Sequence, residues 1–252
     1  EYDTARAFAR AGADPEILVI RNLTPQAIAE SLQAVAAALE RSQILAFPGG
    51  FSGGDGPDGS GKFITAFFRD ARLVEAVSAL LEQRDGLVLG ICNGFQALIK
   101  LGLVPFGRIM PPSAAAPTLT YNTIGRHQSK LVRVRVSSLR SPWLMHYHLD
   151  EVETVAISHG EGRFICSPEL FTQLALNGQI AEQYVDLDGK PSMDIQYNPN
   201  GSYMAVEAIT SPDGRVFGRM GHPERAGSGL LRNVPGETQT RLFRGAVDYF
   251  RQ

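Results

Sequence analysis

The run Leu87-Val88-Leu89-Gly90-Ile91-Cys92-Asn93-Gly94-Phe95-Gln96 constrains the fold more than any other stretch of the chain. Apolar, strand-like sequence meets a cysteine with a glycine two residues to either side, and a helical pattern follows. Such a segment reads as strand, sharp turn and helix, the arrangement of a nucleophile elbow. The missing Cβ atoms at Gly90 and Gly94 let strand and helix cross closely. The turn then presents the Cys92 sulfur at a helix N-terminus, where partial positive charge favours thiolate over thiol. A small core cysteine between two loop glycines would show the same five residues, so the nucleophile reading needs support from elsewhere.

The surrounding sequence supplies a frame for that elbow. The first half alternates helix and strand patterns as an open parallel sheet requires. A helix is expected over 2–11, a strand at Ile17-Leu18-Val19-Ile20 and a helix from Pro25 to Glu40. A strand at Ile44-Leu45-Ala46-Phe47 stops at Pro48-Gly49-Gly50. A glycine-rich loop to Gly61 and helical sequence to Gln83 lead into the elbow, whose helix closes near Leu101. In the second half, short strands are expected at 118–121, 131–136, 154–157, 164–166, 181–185, 204–209 and 216–220. Turn signals lie at 198–201 and 212–214. A short helix begins at Ser167-Pro168-Glu169, and a last one runs from Thr238 to Phe250. No repeat, low-complexity tract or linker divides the 252 residues, so one domain is expected over 1–252. Its class is α/β, flavodoxin-like, with a mostly parallel sheet between helices.

Bulk properties narrow the function classes. A net charge of −2 with no basic stripe gives nucleic acid or an anionic membrane no electrostatic footing. No apolar run reaches spanning length and no signal pattern opens the chain. Two cysteines, Cys92 and Cys166, make no disulfide framework, which fits a reducing cytoplasm. Nothing near Cys166 would lower its pKa, so it reads as structural. The chain opens without Met on the helix-like run beginning Glu1-Tyr2-Asp3, and is therefore expected to be part of a longer polypeptide.

A cysteine nucleophile needs a base, and the base needs an orienting group. Gly221-His222-Pro223-Glu224-Arg225 offers both. Proline biases His222 toward extended backbone, where side chains two apart share a face. The Glu224 carboxylate can then accept from one imidazole nitrogen while the other faces a thiolate. His159-Gly160-Glu161-Gly162-Arg163 has the same spacing, but flanking glycines leave its backbone unfixed, and spacing alone does not separate the two pairs. His146 and His148 near Asp150 lack a partner at zinc-like spacing, so no metal is expected. Acyl transfer also needs two N–H donors for a developing oxyanion. Asn93, following the nucleophile, is one, and the glycine-rich turn at 48–55 is the natural source of the second, at Gly50. The frame Gly56-Pro57-Asp58-Gly59-Ser60-Gly61-Lys62-Phe63 imitates a phosphate loop. Phe63 stands where Ser or Thr should hold magnesium, and Asp55 and Asp58 repel phosphate. No ATP site is expected in this chain.

Together, Gly90-Ile91-Cys92-Asn93-Gly94-Phe95-Gln96, Pro48 to Asp55 upstream and His222-Pro223-Glu224-Arg225 downstream resemble the class I glutamine amidotransferases. More narrowly, they resemble the glutaminase domain of phosphoribosylformylglycinamidine synthases, and 122–126 and 159–164 extend the likeness over nearly the whole chain. The resemblance implies Cys92 as nucleophile with His222 and Glu224 completing a triad, and glutamine as substrate; Ser52 and Gln96 are added as glutamine contacts. It also implies that ammonia passes to a synthetase region using ATP and magnesium, upstream on the same polypeptide or on a partner subunit. Two departures stand out. The family's domain usually begins with a strand ahead of the first helix, so that strand is expected to come from a preceding segment. Many relatives carry Arg-Phe-Glu-Ser-Arg where this chain has Arg126-His127-Gln128-Ser129-Lys130, leaving substrate contacts there open. A stand-alone cysteine hydrolase on the same elbow, or a silent docking module, are the competing readings.

Overall fold

The computed structural model describes residues 1–50, 61–227, 229–236 and 240–252. Helices α1 (Tyr2–Arg10) and α2 (Pro25–Arg41) precede strand β1 (Ile44–Phe47). Helices α3 (Lys62–Phe68) and α4 (Ala71–Ser78), ending in a π-helical turn at Ala79–Gln83, lead to β2 (Leu87–Ile91) and α5 (Asn93–Leu101). After the short α6 (Leu103–Phe106) come β3 (Thr118–Thr120), β4 (Gln128–Val136), β5 (Val152–His159), β6 (Arg163–Ile165) and α7 (Pro168–Leu176). Strands β7 (Ile180–Tyr184), β8 (Val206–Thr210) and β9 (Val216–Arg219) and helix α8 (Leu242–Tyr249) complete the order. Local chemistry explains several boundaries. Thr24 accepts from the Ala27 N–H with Pro25 in the first turn, and Ser167 caps the Pro168 helix in the same way.

Seven strands form one sheet in the order β1-β2-β9-β8-β7-β4-β5, with β3 and β6 as a separate pair. Only β1, β2 and β9 run parallel; every other neighbour in the sheet is antiparallel. The α/β class holds, but the sheet is mixed where a mostly parallel one was expected. Among the second-half strands, only α7 offers a helix of two turns or more as a crossover, and without crossovers consecutive strands pair antiparallel. Leu87, Val88, Leu89 and Ile91 are fully buried, as befits a parallel strand covered on both faces. Side chains alternate accordingly on β9: Gly218 packs under Phe95 of α5, whereas Phe217 lies against Trp143 on the other face. Phe8 of α1 stacks edge-on against both Trp143 and Phe243 of α8, closing that second layer.

The expected strand at 17–20 does not form. The segment joins no ladder, and Val19 is 77% exposed. β-branched composition supplies propensity only; a strand needs a neighbour for its N–H and C=O groups, and no strand among the described residues pairs with this segment. Instead, Ser31 of α2 accepts the Arg21 N–H and Glu16 pairs with Arg41. The helical sequence before the elbow also breaks at Asp70, which caps α4. Met204 belongs to a 3-10 turn rather than to β8.

Two registers decide where chemistry can occur. Phe47 pairs with Gly90, Gly90 with Gly218 and Ile91 with Arg219, so the three parallel strands end level. Gly49 and Gly50, Cys92, and Gly221 with His222 all emerge at that carboxyl edge, where open α/β sheets place their sites. The five strands from β9 to β5 then curl back on themselves, because Ala156 of β5 bridges His222. A Cβ on Gly94 would overlap the Phe47 carbonyl oxygen, and one on Gly90 would sit 2.8 Å from the Gly94 backbone. The glycines are therefore required by close approach. Gly94→Ala is expected to cost about 3 kcal/mol, lowering the thermal midpoint by several degrees in a calorimetric scan; an unchanged midpoint would refute the close crossing.

Candidate active site

Cys92 stands at the junction of β2 and α5 with φ +51° and ψ −106°, a conformation that non-glycine residues rarely adopt. Its own N–H is held by the Arg219 carbonyl at 2.8 Å, which pins the turn to β9. The sulfur is buried and lies 3.7 Å from the Ser158 carbonyl oxygen, to which the thiol donates. Backbone N–H groups of Asn93 and Gly50 both reach the sulfur. The two amides named for the oxyanion thus converge on the Cys92 sulfur.

His222 arrives from the neighbouring strand. Its N–H donates to the Ala156 carbonyl at 2.8 Å, and its Nδ1 is 2.6 Å from Glu224 Oε1 with both groups buried. Nε2 has no hydrogen-bond partner among the described residues. A methyl group built on Gly49 would lie 2.7 Å from His222 Cε1 and 3.5 Å from Cys92 Cβ, so imidazole and thiol flank one small space. Proline at 223 begins a 3-10 turn that brings Glu224 back to the ring.

The electrostatics differ from the sequence expectation. Burial pushes the Cys92 thiol up to about 12, against the lowering effect of the Asn93 and Gly50 amides and of Arg225; the Glu224 charge adds to the rise. Desolvation outweighs the helix N-terminus, so at neutral pH the resting side chain is a thiol. Alkylation of Cys92 by a small neutral electrophile is accordingly expected to be slow at pH 7. Its rate should rise about tenfold per pH unit up to pH 9 without levelling, as followed by peptide mass mapping; a plateau near neutrality would contradict the buried thiol. Cys166, half-buried, is also raised by desolvation, to about 11.

The competing pair does not form a second dyad of that kind. His159 Nδ1 faces Asn122 Oδ1 at 3.3 Å, and burial, with the nearby His222 and His127, lowers its pKa to about 3. It is neutral and enclosed. Asn122, overlooked as an individual residue by motif reading, donates to the His159 and Arg126 carbonyls and accepts from the Gly162 N–H. Gln96 is buried rather than solvent-facing; its amide donates to the Glu161 carbonyl at 2.5 Å, tying α5 to the 159–162 turn. Ser52 and the phosphate-loop-like stretch 56–60 lie outside the described residues, as does most of the glycine-rich loop. His146 pairs with Asp248 at 2.9 Å, and no group of three His, Cys, Asp or Glu among the described residues could hold a metal. No helix among them is long and apolar enough to cross a membrane.

A family model for the CobB/CobQ-like glutamine amidotransferase domain matches residues 1–250. The chain belongs to the glutamine amidotransferases. Among curated members of this family, the phosphoribosylformylglycinamidine synthase subunit PurQ of Methanococcus maripaludis is 32% identical over 272 residues, covering 99% of this chain and 93% of that protein. The same subunit from Dehalococcoides mccartyi is 34% identical over 225 residues, covering 89% and 80%. Among solved structures, that of PurLQS from Thermotoga maritima superposes with a TM-score of 0.68 at 23% identity, covering 99% and 92%. The glutaminase domain of Trypanosoma brucei CTPS, with bound acivicin, gives 0.52 at 15%, covering 98% and 88%. These structural likenesses share the glutamine amidotransferase fold of this chain.

Proposed function

We propose that this amidotransferase hydrolyses glutamine at Cys92 and delivers the ammonia to a synthetase that converts formylglycinamide ribonucleotide to the amidine in purine biosynthesis. The observation that carries the chemistry is the meeting at one sheet edge of a buried thiol under two amide donors and an imidazole bound to a carboxylate. His222 takes the proton of Cys92 as the sulfur attacks the side-chain amide carbon of glutamine. The N–H groups of Gly50 and Asn93 hold the oxyanion, and Glu224 steadies the imidazolium. His222 then protonates the departing amine, and a glutamyl thioester remains with release of ammonia. Water activated by the same ring cleaves the thioester to glutamate and restores the thiol.

Gln96 contributes on the substrate side through the 159–162 turn that it ties down, and Ser52 joins it in the proposed set. ATP and magnesium belong to the synthetase, whether on the same polypeptide or on a partner subunit. No cofactor is assigned to this chain. The relatives named as subunits of phosphoribosylformylglycinamidine synthase support this destination, and a cytoplasmic location accords with two unpaired cysteines. A glutamine-analogue electrophile tests the reading. It should add one equivalent of mass to the peptide carrying Cys92, and excess glutamine should protect. Labelling elsewhere, or no protection, would sink the proposal.

A further inference from the structure

Directly behind the proposed site lies a buried charge cluster that the glutaminase chemistry does not use. The Arg219 side chain is fully buried at the end of β9. Three acidic residues from three other strands surround it: Glu153 at 3.1 Å, Glu182 at 3.4 Å and Glu207 at 3.6 Å. Tyr147 donates to Glu153 from the adjoining layer. One guanidinium cannot neutralise three buried carboxylates. Burial raises Glu153 and holds Glu182 well above the usual carboxylate range, with the charge of Glu207 and a hydrogen bond shared with it adding to Glu182. A proton on Glu182 aimed at Glu207 would satisfy oxygens that otherwise have no donor among the described residues. Such a cluster is costly to bury and adds little stability over apolar side chains of the same volume.

Its connections give the cost a use. Glu207 Oε1 accepts the Gly221 N–H at 2.5 Å, one residue before the proposed base. A Cβ on Gly221 would meet that oxygen at 2.8 Å and Val155 at 3.0 Å, so the chain is pressed against Glu207 there. Arg219, which holds Glu207, also accepts the Cys92 N–H with its own carbonyl. One residue thus references both halves of the pair: Cys92 through the main chain and His222 through Glu207 and Gly221.

We propose that Glu207 is a positioning residue of the glutaminase reaction, holding the Gly221 N–H so that the His222 imidazole faces Cys92, with Arg219 as its anchor. This rests on the function proposed above. The test is steady-state glutaminase kinetics in the complete synthase for wild type, Cys92→Ala, Glu207→Leu and Glu207→Gln. Leucine offers no acceptor but leaves Arg219 paired with Glu153 and Glu182. It should lower kcat by roughly 10²-fold with KM within about threefold, the effect expected of an ångström-scale misplacement. The carboxamide oxygen of glutamine can still accept from Gly221, so Glu207→Gln should recover most of that loss. Where Glu207→Leu fails to fold, Glu207→Met, unbranched, lacking the carboxylate oxygen and likewise leaving Arg219 paired with Glu153 and Glu182, carries the same expectation. Wild-type kcat in the leucine variant, equal losses in the leucine and glutamine variants, or KM moving with kcat would each overturn the positioning role. A Cys92→Ala enzyme as active as wild type would instead overturn the underlying function.

Discussion

Cys92→Ala is expected to lower glutamine-dependent synthesis by roughly 10⁴-fold or more, while free ammonia still supports the downstream reaction at a rate near wild type. The first half follows from covalent chemistry: without sulfur no thioester forms, and the amide donors and imidazole act only on a water that is poorly placed. The second half follows from the separation of sites. Ammonia enters after the thiol has finished, and the substitution removes one buried atom from a turn whose backbone is held by the Arg219 carbonyl. Assays of the complete synthase with glutamine and with ammonium salts, side by side, make the comparison. Loss of both activities together would point to a folding defect, and retention of both would remove Cys92 from the mechanism.

Gly49→Ala should have the next largest effect. Gly49 does not occupy the left-handed region, so alanine fits the backbone without strain. Its methyl group, however, would stand 2.7 Å from His222 Cε1, closer than nonbonded carbons approach. The imidazole must yield by a good fraction of an ångström, while Glu224 at 2.6 Å and the Ala156 carbonyl resist. Misplacement of that order costs about 10²-fold in rate. The expected result is a kcat lowered by about that factor with a thermal midpoint within a few degrees of wild type. Unchanged kcat would mean that the ring has room to retreat, and the tight arrangement of thiol, imidazole and Gly49 would then be wrong.

Local patterns made part of this architecture legible. The helix at Pro25, the strand at 44–47 and the elbow all depend on residues within a few positions of one another, and they form where periodicity places them. The motif segments around 50, 92 and 222 come together because three parallel strands share one register. Pairing partners were not legible. Ile17-Leu18-Val19-Ile20 has strand composition, yet pairing depends on a neighbour that no local pattern records. The antiparallel direction of the second half likewise depends on which distant strand each segment meets. The thiol's ionisation departs from the expectation for a related reason: helix position is local, whereas burial depends on the whole fold. Three charged residues inside expected strands, Glu182, Glu207 and Arg219, with Glu153 just ahead of another, are the available sign of a buried cluster. A single charge in a strand usually faces solvent, and only the fold brings the three carboxylates within 4 Å of Arg219.

The curl that returns β5 to His222 puts the proposed base at a seam. Among the described residues a lone bridge, Ala156 to His222, joins the last strand of the curl to the segment that follows β9. Partial opening there would carry the ring away while leaving nearly every ladder of the sheet intact. With His222 as the base, catalytic competence is more fragile than foldedness, and spectroscopic signs of secondary structure should outlast turnover under gentle denaturation.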